Sequence, residues 1–239
     1  TILNENSKFH ISEAYKTLRT NILFSTRDSA CKIYTITSAI PGEGKTTTAI
    51  NIAISFAQTG KKVVIVDADL RIPTIHKKLR IANSDGLSSV LVGLSTFEES
   101  VQNIGSNLDI ITAGPIPPNP SELLMSTRLE ELIEEAKQKY DYIIIDTTPM
   151  LSVADASIVD RVADVTLFVV RMGVEEVSFL PQLDKLNRDK KLRNMALVLN
   201  DIDLRRSYGY GYGYGYSYGY GYGFDHDKKK KKGLFGKKK

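Results

Sequence analysis

The chain has 239 residues, enough for one large α/β domain or two small ones, and its 42% hydrophobic and 25% charged content is that of a globular protein. Its net charge of +4 is a property of one end: the segment from Ser207 onward holds eight Lys and two Asp, which leaves −2 for residues 1–206, so the basic balance gives no ground for a nucleic-acid partner. A single cysteine, Cys31, excludes an internal disulfide and a cysteine metal cluster and fits a reducing compartment.

No apolar run reaches the roughly 18–20 residues of a membrane span. The first residue is Thr rather than Met. That points to a piece of a longer protein, in which an upstream membrane segment has a place.

The pattern first predicts a helix over about Ser12–Phe24, within an N-terminal region 1–30. A β-rich run, Ile33–Ser38, follows, and then Ala39-Ile40-Pro41-Gly42-Glu43-Gly44-Lys45-Thr46-Thr47 opens a helix predicted over Lys45–Gln58. This matches the phosphate-loop pattern G-x-x-x-x-G-K-[ST], with Ala39 in place of the first glycine. Pro41, Gly42, Glu43, Gly44, Lys45, Thr46 and Thr47 are the candidate nucleotide-binding residues. The glycines let bare N–H groups approach phosphate oxygens, and the helix start adds its positive dipole end. Lys45 is suited to the β- and γ-phosphates, and the Thr46 hydroxyl to Mg²⁺.

The next strand, Val63–Asp67, continues as Asp67-Ala68-Asp69-Leu70-Arg71, two aspartates at the carboxyl end of a buried strand. That edge is where open α/β sheets bind ligands. An ordinary nucleotide hydrolase does not need this second acidic motif. Beside Mg-ATP, two further carboxylates can hold the metal and orient an incoming hydroxyl. A tyrosine phenol has a pKa of about 10, so a carboxylate beside it can accept its proton. Lys45, Asp67 and Asp69 are therefore the candidate catalytic residues.

A strand over Leu108–Thr112 and a helix over Ser121–Lys139 lead to Tyr142–Asp146. Asp146 reads as the Walker B carboxylate, which holds Mg²⁺ directly or through water, beside the Thr46 hydroxyl and the Asp67–Asp69 pair. Strands over Val165–Val170 and Met195–Leu199 flank a helix over about Glu175–Arg188. Near-continuous Val/Ile/Leu strands alternating with helices predict a doubly wound, mostly parallel α/β sheet with helices on both faces, the P-loop nucleotide-hydrolase fold, over residues 1–206. Asn200 and Asp203 follow the last strand, where a base contact or a simple turn is expected.

Residues 207–239 have no capacity for a core. Tyr208, Tyr210, Tyr212, Tyr214, Tyr216, Tyr218, Tyr220 and Tyr222 alternate with glycine, save for Ser217. They are candidate phosphate acceptors on a thin chain that spans at most roughly 50 Å. Left alone, such a run also reads as a segment that associates by stacking. The lysines Lys228–Lys232 and Lys237–Lys239 around Leu234 and Phe235 fit either a membrane-surface patch or a solubilising end.

The loop PGEGKT, the motif VVIVDADLR and the motif IIIDTTP together resemble the bacterial tyrosine kinases of capsule and exopolysaccharide export systems. The stretch from Glu13 to Asn21 is similar to that family's E-x-x-R-x-x-R-T-N segment, with Lys16 in place of the first Arg. By resemblance, Glu13 and Arg19 serve self-association in a ring-like homo-oligomer. The same resemblance implies ATP and Mg²⁺ as cofactors and autophosphorylation of tail tyrosines in a neighbour's active site. It also implies a membrane polysaccharide co-polymerase as activator, a tyrosine phosphatase as partner, no nucleic acid, and a place on the cytoplasmic side of the inner membrane. Two other readings stand beside it. A partitioning-type P-loop ATPase would carry a lysine where this chain has Ile40, and a nucleotide-gated scaffold would transfer no phosphate.

Overall fold

Strands made almost wholly of Val, Ile and Leu have nowhere stable to sit except between two helical layers, and that is where the chain places them. The computed structural model describes residues 2–4, 9–26, 33–173, 179–189 and 191–202. Cys31, Asp203 and the whole Tyr/Gly and lysine tail lie outside the described residues.

Seven strands form one sheet: β1 Ile33–Ser38, β2 Val63–Asp67, β3 Val101–Gly105, β4 Leu108–Ile111, β5 Tyr142–Asp146, β6 Val165–Arg171 and β7 Ala196–Asn200, in the order β3-β4-β2-β5-β1-β6-β7. All pairings are parallel except β3 with β4. The helices are α1 Phe9–Ser25, α2 Lys45–Ala57, α3 Ile75–Leu79, α4 Leu87–Leu91, α5 Phe97–Ser100, α6 Pro120–Met125, α7 Thr127–Lys139, α8 Asp155–Val159 and α9 Leu180–Arg188. Alternate residues of the strands feed two cores. Tyr34, Ile36, Ile65 and Ile144 face α1–α3, through Ile22, Ile52, Phe56 and Ile75. Ile33, Val64, Val66, Ile143 and Ile145 face α4–α8, through Leu87, Phe97, Leu124, Leu129 and Val159. On that second face Phe168 and Val170 meet Leu183 of α9.

Two expectations need correction. The single helix expected over Ser121–Lys139 is two helices, α6 and α7, because Ser126 adopts an extended backbone (φ −66°, ψ 154°). The Arg161 guanidinium donates to the freed carbonyls of Met125 and Ser126 at 2.9 and 2.8 Å, so a residue 35 positions away fixes the break. The antiparallel edge strand β3 was not expected at all. Its sequence, VQNIG, is half polar and half-exposed, and its apolar residues are too few to mark a strand.

The strand order brings the carboxyl ends of β2, β5 and β1 side by side, with Asp67 of β2 in register with Asp146 of β5. This is the topological edge where doubly wound sheets bind ligands. Under it, the buried ring of Phe56 lies 5.8 Å from Tyr34 and 4.3 Å from Tyr142, centroid to centroid. Replacing it leaves a void under both α2 and the sheet. Phe56→Ala is expected to lower unfolding free energy by about 3–5 kcal/mol, read from the midpoint shift in urea denaturation.

Candidate active site

The site is built where three strands end. After β1 the chain turns through residues 39–44 into α2, and this loop holds its shape through partners far away in sequence. Gly42 and Gly44 have φ of +90° and +98°, the left-handed region where a side chain is strained. A Cβ on Gly44 would lie 2.3 Å from Asn200 Nδ2 and would push that amide off the Glu43 carbonyl. Ala39, which stands where the motif has glycine, is absent from the positive-φ residues and packs its methyl with Phe168 and Phe179. Glycine has no role at that position.

Glu43 sits in the loop with its side chain fully buried. The carboxylate accepts from the Ile40 N–H at 2.9 Å and the Arg171 N–H at 3.3 Å, and the Glu43 carbonyl accepts from Asn200 Nδ2 at 2.8 Å. Glu43 therefore offers a nucleotide its backbone alone. Its side chain pins the loop to the end of β6, and its carbonyl ties it to the end of β7. Asn200, at the end of β7, is a prop for the loop. Pro41 and Gly42 are exposed, and Lys45 and Thr47 are half-buried at the first turn of α2.

Lys45 reaches across to the acidic strand ends. Its Nζ donates to Asp69 Oδ2 at 3.1 Å and lies 3.8 Å from Asp146 Oδ1 and 3.4 Å from Thr46 Oγ1. Asp67 faces Asp146 across the β2–β5 ladder. The turn after β2 is folded back on the same carboxylates: Asp69 N–H donates to Asp67 Oδ1 at 3.3 Å and Ile72 N–H to Asp69 Oδ1 at 3.0 Å. The structure thus gathers Lys45, Thr46, Asp67, Asp69 and Asp146, predicted from separate motifs, into one cluster.

The electrostatics are those of too many buried negative charges for one cation. Burial first, then the charges of Asp146 and Asp69, push the Asp67 carboxyl well above the usual carboxylate value. Burial pushes Asp146 up to about 6 against the opposing pull of Lys45 and Thr46. Burial by itself lowers the Lys45 ammonium, but Asp146 and then Asp69 outweigh it and hold the group above its ordinary value. Among the described residues, Asp67 Oδ2 and Asp146 Oδ1 are buried oxygens without a hydrogen-bond donor. Buried oxygens left in this state fit a hard divalent cation such as Mg²⁺; they belong to Asp67 and Asp146, while both Asp69 oxygens already accept, from Lys45 and from the Ile72 N–H.

A second network, which sequence reasoning missed, braces the loops around the cluster. Arg71 Nε and Nη2 donate to the fully buried Asp155 at 2.6 and 3.2 Å, and Nη2 also reaches Ser121 Oγ at 2.9 Å. Ser121 Oγ donates to Asp155 at 2.6 Å. Burial tends to raise Asp155, yet the bonds from Arg71 and Ser121 prevail and hold it below its usual value. The Arg immediately after DADL was the one visible signal, and its partners lie 50 and 84 residues away.

The N-terminal segment is less free than its resemblance implies. Glu13 pairs with Lys16 one turn along at 2.7 Å. Arg19 donates to the Ser55 carbonyl and, at 3.2 Å, to Ser55 Oγ, which ties α1 to α2. The acceptor tyrosines Tyr208–Tyr222 lie outside the described residues.

A family model described as an AAA domain matches residues 31–185. The tyrosine-protein kinase YwqD of Bacillus subtilis is 52% identical over 166 residues, covering 69% of this chain and 70% of that protein. The CapB protein of Staphylococcus aureus is 34% identical over 209 residues, covering 86% and 92%. Among solved structures, the kinase domain of the Escherichia coli tyrosine kinase ETK superposes with a TM-score of 0.77 at 38% identity, over 85% of this chain and 80% of that one. The chain belongs to the bacterial tyrosine-kinase family of P-loop proteins.

A buried acid whose pKa is raised by folding holds a proton that the unfolded chain has released. For Asp146 the window runs from the ordinary 3.8 to about 6. Within it the folded state binds more protons, so stability falls as pH rises. The metal- and nucleotide-free protein is expected to melt at higher temperature at pH 5.5 than at pH 7.5. Asp146→Asn should flatten that slope and raise apo stability at pH 7.5 by roughly 1–3 kcal/mol, read by calorimetry across the pH series.

Proposed function

We propose that the chain is an ATP-dependent tyrosine autokinase that transfers the γ-phosphoryl group of ATP to Tyr208, Tyr210, Tyr212, Tyr214, Tyr216, Tyr218, Tyr220 and Tyr222 in the tail of a neighbouring copy. The observation that carries the reading is the convergence of Asp67 and Asp69 on the Lys45–Asp146 pair. Nucleotide hydrolysis needs the loop, the lysine and one strand-end carboxylate. The added pair on β2 is what a hydroxyl acceptor requires.

The loop N–H groups presented by Gly42 and Gly44, with the start of α2, bind the phosphate oxygens. Lys45 neutralises charge on the β- and γ-phosphates, which it can do because Asp69 and Asp146 fix its ammonium in place. Mg²⁺, held by Thr46, Asp69 and Asp146, supplies charge neutralisation of the transferring group. Asp67 is the base. Burial against two other carboxylates strengthens its basicity, and it takes the phenol proton as the phenol oxygen bonds to the γ-phosphorus and the bond to the bridging oxygen breaks. The Arg71–Asp155–Ser121 brace keeps the Asp67–Ile72 turn from relaxing away from Lys45.

In the wider setting we place the chain on the cytoplasmic side of the bacterial inner membrane, in a ring-like homo-oligomer to which Glu13 and Arg19 contribute. A membrane polysaccharide co-polymerase activates it, a tyrosine phosphatase reverses it, and the cycle regulates capsular or exopolysaccharide polymerisation and export. No described helix is long and apolar enough to cross a membrane.

Intact mass after incubation with Mg-ATP tests the reading directly. The chain is expected to gain mass in steps of one phosphate, mapped to Tyr208–Tyr222, with none gained by Lys45→Met. Asp67→Asn should retain nucleotide binding while losing about 10²–10⁴-fold in transfer rate. ADP release without mass gain, with the co-polymerase's cytoplasmic segment present, would make the protein a hydrolase instead.

A further inference from the structure

The cleft that holds the carboxylates is deep and acidic, but its rim is not. Three aliphatic side chains stand in solvent on the connections at this edge of the sheet: Ile72, Ile116 and Leu151, at 71%, 64% and 54% exposure. They lie on the connections that leave β2, β4 and β5, which are neighbours in the sheet. The Arg71 fork bonds Ser121 and Asp155, the residues into which the second and third connections lead, so the three loops are stapled around one point. Exposed aliphatic residues scattered singly need no explanation, whereas several at the mouth of one cleft do.

Each is also held in place. The Ile72 N–H is bonded to Asp69. Ile116 sits between Pro115 and Pro117, and the Pro115 carbonyl accepts from Ser88 Oγ at 2.7 Å. The Leu151 N–H donates to the Ala39 carbonyl at 3.2 Å, at the base of the phosphate loop, just after Met150 N–H donates to the Ser38 carbonyl at 2.8 Å. A backbone fixed this firmly, with its apolar side chain left in water, is arranged for a ligand.

We propose that Ile72, Ile116 and Leu151 form the seat for the ring of the acceptor tyrosine and decide that the enzyme phosphorylates tyrosine; this rests on the kinase reading above. The depth of the site gives the reason. Asp67 and Asp146 are essentially fully buried and Asp69 is only 6% exposed. A tyrosine is an apolar disc with a hydroxyl at its far end. Its ring spans the aliphatic rim while its oxygen reaches the carboxylates. A serine or threonine hydroxyl, one bond from Cβ, stays at the rim and gains nothing from it. The glycines between the tail tyrosines fit the same picture, since a rim of side chains leaves little room for neighbouring bulk.

The test uses the full chain and synthetic peptides of residues 207–223 carrying Tyr, Phe or Ser at the alternating positions. Ile72→Ser and Leu151→Ser are each expected to raise KM for the Tyr peptide roughly tenfold, with KM for ATP unchanged and Ile72→Leu close to the parent. The Phe peptide should inhibit the parent competitively, the Ser peptide should not, and Ile72→Ser should erase that difference. A parent that phosphorylates the peptide while the rim variants keep its KM would overturn the seat and leave the kinase standing. The seat is equally overturned if the variants change only the oligomer mass in light scattering, which would make the rim a subunit interface. A parent that phosphorylates neither peptide nor its own tail, with the co-polymerase segment present, would sink both readings.

Discussion

Everything at the carboxyl edge of the sheet depends on a charge imbalance: one ammonium, Lys45, set among Asp67, Asp69 and Asp146 in a place with little water. Taking carboxylates out of water is unfavourable, the charges of Asp146 and Asp69 add to that at Asp67, and the raised carboxyl groups of Asp67 and Asp146 are that penalty expressed as proton affinity. The rest of the fold supplies what holds them together regardless. The β2–β5 ladder fixes Asp67 opposite Asp146, and the folded turn after β2 fixes Asp69 over Lys45. An arrangement so short of positive charge binds cations and protons avidly, which suits it both to a Mg-nucleotide and to a phenol that must lose its proton.

Rigidity around the cluster comes from contacts that reach beyond the motifs. Glu43 resembles part of a phosphate-binding loop but spends its carboxylate on the Ile40 and Arg171 N–H groups. Asn200 closes the same connection from β7. The loop is thereby tied to the last two strands, on the far side of β1 from Asp67 and Asp146. Arg71, Ser121 and Asp155 perform the corresponding task on the other side. With the phosphate loop braced on one side and the acidic connections on the other, the loop N–H groups and the carboxylates keep fixed positions, the kind of preorganisation on which phosphoryl transfer depends.

What was legible in the sequence follows from how local the determining physics is. β1, β2, β5 and β6 are apolar runs bounded by turn residues, and each appears where its composition marks it. The cluster of Lys45, Thr46, Asp67, Asp69 and Asp146 was legible because a parallel sheet must deliver all strand ends to one edge. The break at Ser126 was not, because it is fixed by Arg161 from outside the helix. The inward turn of Glu43 was not, because its partner Arg171 is 128 residues away. β3 was hidden because an edge strand with one solvent face needs few apolar residues.

The acceptor side follows the opposite logic. If, as we propose, the site selects by depth and rim, the acceptor needs a ring and a hydroxyl at a fixed reach and needs little else. Such a site can accept any of several equivalent tyrosines, and a tail of alternating tyrosine and glycine supplies them at high local concentration without a defined sequence around each one. Each phosphate adds about −1.5 to −2 charge, which a cleft already crowded with carboxylates repels. On the proposed reading, the same imbalance that draws in a cation and a phenol then repels the product, so the excess negative charge at Asp67, Asp69 and Asp146 favours both ends of the turnover.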